Sequence, residues 1–243
     1  MGKNNTRDEA EPSVPDDGTS RRNFLKGAAV GAGVVGTGAT AGVLALNNED
    51  TGESAKAIPA SEGYLLVDPA KCTGCTSCMI ACSTAHEGKA SHSLARIQIT
   101  QNPLEGFPND INQEQCRQCT YAACVEACPT GALEADPENG NVRMVDEDKC
   151  VGCQRCLEAC PYTPHRNTWN HEREYAMKCD LCADTPHWDQ EGGPDGSQAC
   201  VEVCPVGAIQ FTDEIPTQYD DEGYKVNLRD EQWEQLGLYA GDI

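Results

Sequence analysis

The stretch Cys150-Val151-Gly152-Cys153-Gln154-Arg155-Cys156-Leu157-Glu158-Ala159-Cys160-Pro161 decides how this chain folds. Its spacing is C-x2-C-x2-C-x3-C-P. Three cysteines within a seven-residue span can curl around one object larger than a single ion. The fourth lies four residues beyond the third. On a helical turn it falls on the same face, displaced by roughly 6 Å, because each residue rises about 1.5 Å. It is therefore placed to reach a second such object. The proline that follows has no N–H and stops the turn.

Three further groups repeat the pattern. Cys72, Cys75, Cys78 and Cys82 carry the same spacing. Cys116, Cys119, Cys124 and Cys128 have four residues in the middle gap and Pro129 after the last cysteine. In Cys179, Cys182, Cys200 and Cys204 the middle gap grows to 17 residues, and Pro205 follows. The four groups use all 16 cysteines.

Three chemistries compete for such a set: a disulfide scaffold, zinc knuckles and iron–sulfur clusters. Zinc typically takes two C-x2-C pairs and gains nothing from the fourth cysteine. The spacing resembles that of bacterial [4Fe–4S] ferredoxins, and the preference for clusters rests on that resemblance. In two-cluster ferredoxins each motif gives three cysteines to one cluster and its last cysteine to the other.

Composition narrows the function further. The 243 residues carry 18 Lys+Arg against 39 Asp+Glu, a formal charge of −21. Nucleic-acid binding is a poor fit, since affinity there comes from cations that neutralise phosphates. Aromatics are only 5% of the chain, too few for a large conventional core. The acidity suits either a high-salt habitat, where charge maintains solubility, or a steering surface for a basic partner.

The first 57 residues read as an export segment. Ser20-Arg21-Arg22-Asn23-Phe24-Leu25-Lys26 precedes an uncharged, Gly- and Ala-rich run over residues 27–46. Twin arginines before a weakly apolar run resemble a twin-arginine export signal, which implies the periplasm or the outer face of the cytoplasmic membrane. Ala55-Lys56-Ala57 offers a cleavage site, although an uncleaved signal would serve as a tether. The resemblance also implies transport of an already folded protein with its cofactor in place, which a disulfide scaffold does not need.

A hairpin is expected between the second and third groups, from Gly131-Ala132-Leu133-Glu134-Ala135 through Asn139-Gly140 to Val142-Arg143-Met144-Val145. Other strands are expected at 64–67, 94–100 and 208–212. The cysteine groups, Cys124-Val125-Glu126-Ala127-Cys128-Pro129-Thr130-Gly131-Ala132 and Met177-Lys178-Cys179-Asp180-Leu181-Cys182 resemble one family in particular. It is the four-cluster electron-transfer subunit of molybdopterin oxidoreductases such as dimethyl sulfoxide, polysulfide, thiosulfate and tetrathionate reductases. Similar subunits serve formate-dependent nitrite reduction and membrane hydrogenases. Ser83 departs from the pattern, where a proline would close the first group.

The resemblance implies an α+β fold of two nested ferredoxin-like units around four [4Fe–4S] clusters. An inner unit, 113–178, is inserted between the outer segments 58–112 and 179–213, and a tail follows at 214–243. The implied ligand sets are Cys72/Cys75/Cys78/Cys204, Cys179/Cys182/Cys200/Cys82, Cys116/Cys119/Cys124/Cys160 and Cys150/Cys153/Cys156/Cys128. The implied partners are a molybdopterin-type catalytic subunit and an integral-membrane, quinone-linked subunit. Nucleic acid and a small-molecule substrate of its own are not expected. No catalytic residue is expected either, since the chain carries no nucleophile arrangement, phosphate loop or open metal position. The alternatives are a stand-alone exported polyferredoxin and, more remotely, a zinc or disulfide interaction module.

Of the 12 Lys and Arg beyond Ala57, five adjoin a cysteine: Lys71, Arg117, Lys149, Arg155 and Lys178. At about 10 Å and an effective dielectric near 20, one such charge is worth on the order of 1.7 kcal/mol toward an added electron. The alternative is that these residues merely solvate exposed loops. His86, His92, His165, His171 and His187 have no metal-site spacing, and surface or structural roles are expected for them. Residues 183–199 read as a surface loop, and Trp169 and Trp188 are expected in loops flanking the fourth group, where they either contact a partner or cover a cluster. A short helix at 230–238 either clasps a partner or caps the fold.

So small an apolar core needs its ligands to fold. The iron-free chain under reducing conditions is expected to be largely unfolded by circular dichroism; a native-like spectrum would refute this.

Overall fold

The computed structural model describes residues 58–107, 109–231 and 235. The export segment lies outside the described residues, as does the expected helix at 230–238 apart from residues 230, 231 and 235. Among the described residues no helix is long and apolar enough to cross a membrane.

The elements run β1 (Tyr64–Val67), α1 (Ser77–Glu87), β2 (Ile97–Gln101), β3 (Ile111–Gln115), α2 (Ala123–Glu126), β4 (Leu133–Asp136), β5 (Val142–Val145), α3 (Arg155–Glu158), β6 (Asn167–Asn170), β7 (Tyr175–Lys178), α4 (Ala199–Glu202) and β8 (Ile209–Thr212). The strands form four two-stranded antiparallel ribbons: β1–β8, β2–β3, β4–β5 and β6–β7. Isolated ribbons of this kind are marginal in water, so something between them must supply cohesion.

The β4–β5 hairpin forms where the Asn-Gly signal places it. The Asp136 carboxylate accepts the Glu138 N–H at 2.9 Å and starts a 3-10 turn. Gly140 and Asn141 then take the left-handed conformation that reverses the chain, which these two residue types tolerate best. Pairing of β1 with β8, Val67 opposite Ile209, brings the first cysteine group beside the last.

Two ribbons have no sequence signal. β3 and β6 read Ile-Asn-Gln-Glu-Gln and Asn-Thr-Trp-Asn, too polar for the usual apolar alternation. Gln113, Gln115, Asn167 and Asn170 are nevertheless buried. The β2–β3 ribbon crosses the boundary expected at 112/113. β2 begins at Ile97 rather than 94, because Ala95 is held in a turn by His92 O and the Arg96 N–H is directed to Cys82 Sγ.

The largest apolar cluster joins Leu65, Val67, Met79, Ile97, Leu181 and Ile209 to the thiols of Cys78, Cys82 and Cys200. Cysteine is thus a core residue here. Over residues 215–229 the tail caps the fold. The Val226 N–H donates to Val67 O at 2.9 Å, and the buried Asp68 accepts the Leu228 N–H at 2.9 Å and Arg229 Nε at 3.2 Å. Tyr224, fully buried, donates to Arg117 O at 2.6 Å. Asp221 pairs with Arg117 at 2.8 Å and also with Arg166.

Removing Asp221 leaves two buried guanidiniums short of a partner. Because Asp221 is itself part-exposed, Asp221→Ala is expected to cost about 2 kcal/mol, or roughly 5 °C in Tm. Anaerobic thermal unfolding against the exposed control Asp213→Ala checks this; equal midpoints would show that the tail contributes nothing.

Candidate metal centres

Each cysteine group is shaped by the same local devices. The residue before the second cysteine is left-handed in all four: Gly74, Gln118, Gly152 and Leu181. That conformation reverses the chain inside each C-x2-C pair, and the non-glycine residues hold it at a cost of roughly 1–2 kcal/mol each. The third cysteines, Cys78, Cys124, Cys156 and Cys200, lie on α1, α2, α3 and α4.

The last cysteine of every group accepts a backbone N–H. Arg96 donates to Cys82 Sγ at 3.3 Å, Leu133 to Cys128 at 3.4 Å, Arg166 to Cys160 at 3.2 Å and Ala208 to Cys204 at 3.2 Å. Such bonds favour the thiolate. At Cys128 burial acts upward, yet the N–H groups of Leu133 and Thr130 hold the thiol below its ordinary range.

Three enclosed cavities are lined by four cysteines each. The first takes Cys116, Cys119, Cys124 and Cys160; the second Cys82, Cys179, Cys182 and Cys200; the third Cys128, Cys150, Cys153 and Cys156. In the remaining set, burial and then Cys72, Cys204 and Cys75 push the Cys78 thiol up to about 12. In every case the last cysteine of one group joins the first three of another.

Iron–sulfur clusters fit these residues on three counts. All sixteen cysteines are free thiols. Among the described residues, no three His, Cys, Asp or Glu side chains close on a single ion, so the cavities suit something larger. The thiols are also buried against one another. Burial and the neighbouring Cys116 push Cys119 up to about 11, burial and Cys124 push Cys156 up to about 11, and burial and Asp180 push Cys182 up to about 12. A positively charged metal core relieves that penalty by binding the deprotonated thiols.

The surroundings of the three cavities differ in charge. Arg117, Arg143, Arg166 and Lys178 all line the first. Lys178 Nζ lies 3.4 Å from Cys124 Sγ, and Arg143 donates to Asn141 O at 2.5 Å and Cys119 O at 2.7 Å. Beside the second, Asp180 binds His86 Nε2 at 2.9 Å and Arg96 at 2.5 Å. Burial pulls the His86 imidazolium down, but the Asp180 carboxylate outweighs it and raises the group to about 10. Its Nδ1 lies 2.8 Å from Cys82 O and 3.7 Å from Cys82 Sγ. The lining of the third carries no ionisable side chain besides its cysteines.

Of the five cysteine-adjacent cations, Arg117 and Lys178 are buried at a cavity. Lys149 is exposed and pairs with Asp146, Arg155 is exposed, and Lys71 donates to Leu228 O at 2.7 Å. Sequence reasoning missed Arg143 and Arg166. The signal available for Arg143 was an arginine inside an otherwise apolar strand. The loop at 183–199 is exposed chiefly in its first half. Its second half folds over Cys182, where a Cβ at Gly192 would meet Cys182 O at 1.8 Å.

A fold of short ribbons that brings thiols together in crossed fours defines a ferredoxin-type iron–sulfur protein. Two models, each described as a 4Fe-4S dicluster domain, match residues 64–129 and 109–214 and together contain all sixteen cysteines. The chain is 36% identical over 200 residues to the NrfC homolog of Haemophilus influenzae, covering 80% of each. It is 32% identical to the hydrogenase-2 operon protein HybA of Escherichia coli O157:H7, over 79% of this chain and 62% of HybA. It is 37% identical to the thiosulfate reductase electron transfer subunit PhsB of Salmonella typhi, over 60% of this chain and 73% of PhsB. The chain belongs to the NrfC family of ferredoxin-type [4Fe–4S] proteins.

Crossed ligation has a direct consequence. Cys128→Ser is expected to disturb the cluster held by Cys150, Cys153 and Cys156, and to spare the one at Cys116, Cys119 and Cys124. EPR of the reduced variant resolves the two; loss at the second site instead would refute the crossing.

Proposed function

We propose that this chain is the electron-transfer subunit of an exported, membrane-associated respiratory oxidoreductase. It holds four [4Fe–4S] clusters in the four crossed sets and relays single electrons between a quinone-linked membrane subunit and a molybdopterin catalytic subunit. A [4Fe–4S] cluster supplies reversible one-electron storage. The chain's own residues would hold the clusters through their sulfurs and set the charge around each.

The observation that carries this reading is the complete use of the cysteines. Four sets of four leave no thiol over and no ligand position open for a substrate, which suits conduction rather than catalysis. The crossing ties the sites in pairs, so that one short helix serves two of them. The role of PhsB as the electron transfer subunit of thiosulfate reductase supports the same function here. The Ser20–Lys26 motif supports export by the twin-arginine route.

Anaerobic purification of the tagged full chain from its host's membranes, with metals quantified, tests the proposal. About 16 irons per chain, with roughly one molybdenum or tungsten in a larger complex, is expected. The same iron in a monomer without a second metal would replace this reading with a free polyferredoxin. Zinc without acid-labile sulfide would overturn the cluster assignment itself.

A further inference from the structure

The three enclosed cavities share their ligands' chemistry and differ in their cations. At the first, four basic side chains line the space: Arg117, Arg143, Arg166 and Lys178. Three of the four are no more than 3% exposed, and Arg166 is 5% exposed. Two carboxylates answer them, since Asp221 pairs with Arg117 and Arg166, and Glu114 pairs with Arg166. Among the described carboxylates, none lies within 4.0 Å of Arg143 or Lys178. Arg143 donates to two backbone carbonyls, and the Lys178 ammonium lies against the sulfur of Cys124. Buried N–H groups without a partner remain on Arg117 Nη2, Arg143 Nε and Arg166 Nε. Four cations against two anions leave a surplus of two positive charges around this space.

The other two cavities lack that surplus. Beside the second, Arg96 pairs with the buried Asp180, which also binds His86, and lies 3.9 Å from Glu87. At the third, the lining is Thr130, Ala132, Leu133, Val145, Gln154 and Ala176, among other uncharged residues. An added electron is stabilised by nearby cations and more strongly where water cannot screen them.

We propose that the site formed by Cys116, Cys119, Cys124 and Cys160 has the most positive reduction potential of the three enclosed sites. The uncompensated cations Lys178 and Arg143 make it so, and electrons collect there first. Lys178 and Arg143 are positioning residues for charge rather than ligands. The inference rests on the reading that [4Fe–4S] clusters occupy the four sets. It also separates sequence adjacency from effect: Lys149 neighbours Cys150 just as Lys178 neighbours Cys179, yet Lys149 is exposed and paired with Asp146.

The test is an anaerobic redox titration of the full-length holoprotein, followed by EPR, on wild type, Lys178→Gln, Lys178→Arg and Lys149→Gln. The signal altered by Cys116→Ser identifies the site. In wild type that signal is expected to appear first among the enclosed sites. Lys178→Gln is expected to lower its midpoint by at least a tenfold change in the reduction equilibrium, about 59 mV for one electron. Lys178→Arg should restore most of the shift, and Lys149→Gln should move no midpoint by a comparable amount. Because Arg143 also holds backbone carbonyls, Arg143→Lys, rather than a neutral replacement, serves as the second variant. It keeps the charge and is expected to keep the midpoint. An unchanged midpoint in Lys178→Gln with all clusters present overturns the proposal alone. Absence of any [4Fe–4S] signal in wild type overturns the cluster reading and this proposal together.

Discussion

Thiolates repel one another, and this chain brings them together in fours inside protein. Burial and neighbouring cysteines push Cys78 up to about 12, and Cys119 and Cys156 up to about 11. Burial and Asp180 also raise Cys179, and burial and the surrounding cysteines raise Cys200. A cationic core that takes the sulfurs as anions would relieve that repulsion. Everything else about the fold follows from accommodating that core. The ribbons are short, the four-residue helices α2, α3 and α4 are single turns, and the main apolar cluster is interrupted by cysteines. A chain with so few aromatic residues has little apolar area to bury, and ligation would supply cohesion that packing does not.

The crossing of ligands converts that local cohesion into an architecture. Cys78 and Cys82 sit one turn apart on α1 and belong to different sets. Cys124 and Cys128, and likewise Cys156 and Cys160, are divided between sets in the same way, the later cysteine lying two residues past α2 or α3. Each helical turn is therefore pinned at both ends. Cys82 joins three cysteines of the fourth group, far along the chain, and the β1–β8 pairing closes the same loop through the backbone. Two independent constraints thus bring the ends of the ferredoxin-like region together.

Much of this was legible in the residues. The fourfold cysteine spacing, the Asn-Gly hairpin and the β1 and β8 strands could be read directly, because each depends on local chemistry or on period. The polar ribbons could not. β3 and β6 are held by buried amides, and amide burial has no periodic signature. The cavity cations were half legible. Adjacency to a cysteine singled out Arg117 and Lys178 correctly as residues near sulfur, but it weighted Lys149 and Arg155 equally, and these face solvent. Arg143 and Arg166 come to the same cavity from β5 and from the turn after α3, and only the tertiary fold places them there. Residues 215–229, where the sequence left clasping a partner and capping the fold open, fold back onto β1 and Arg117.

The distribution of charge then acquires a physical logic. Between residues 58 and 243 acids outnumber bases 31 to 12, yet four of those twelve bases line one cavity. Surface acids act across water and are weakened by salt, whereas buried cations are screened far less. An acidic exterior therefore sets solubility and encounter. The interior cations set where negative charge is held, and they continue to do so at ionic strengths that flatten the surface field. Asp221 links the two regimes. It is part-exposed, it belongs to the tail, and it neutralises two of the four buried bases. The tail segment that caps the fold is thereby also a control on the charge around the first cavity, and its contribution to stability and to potential cannot be varied separately.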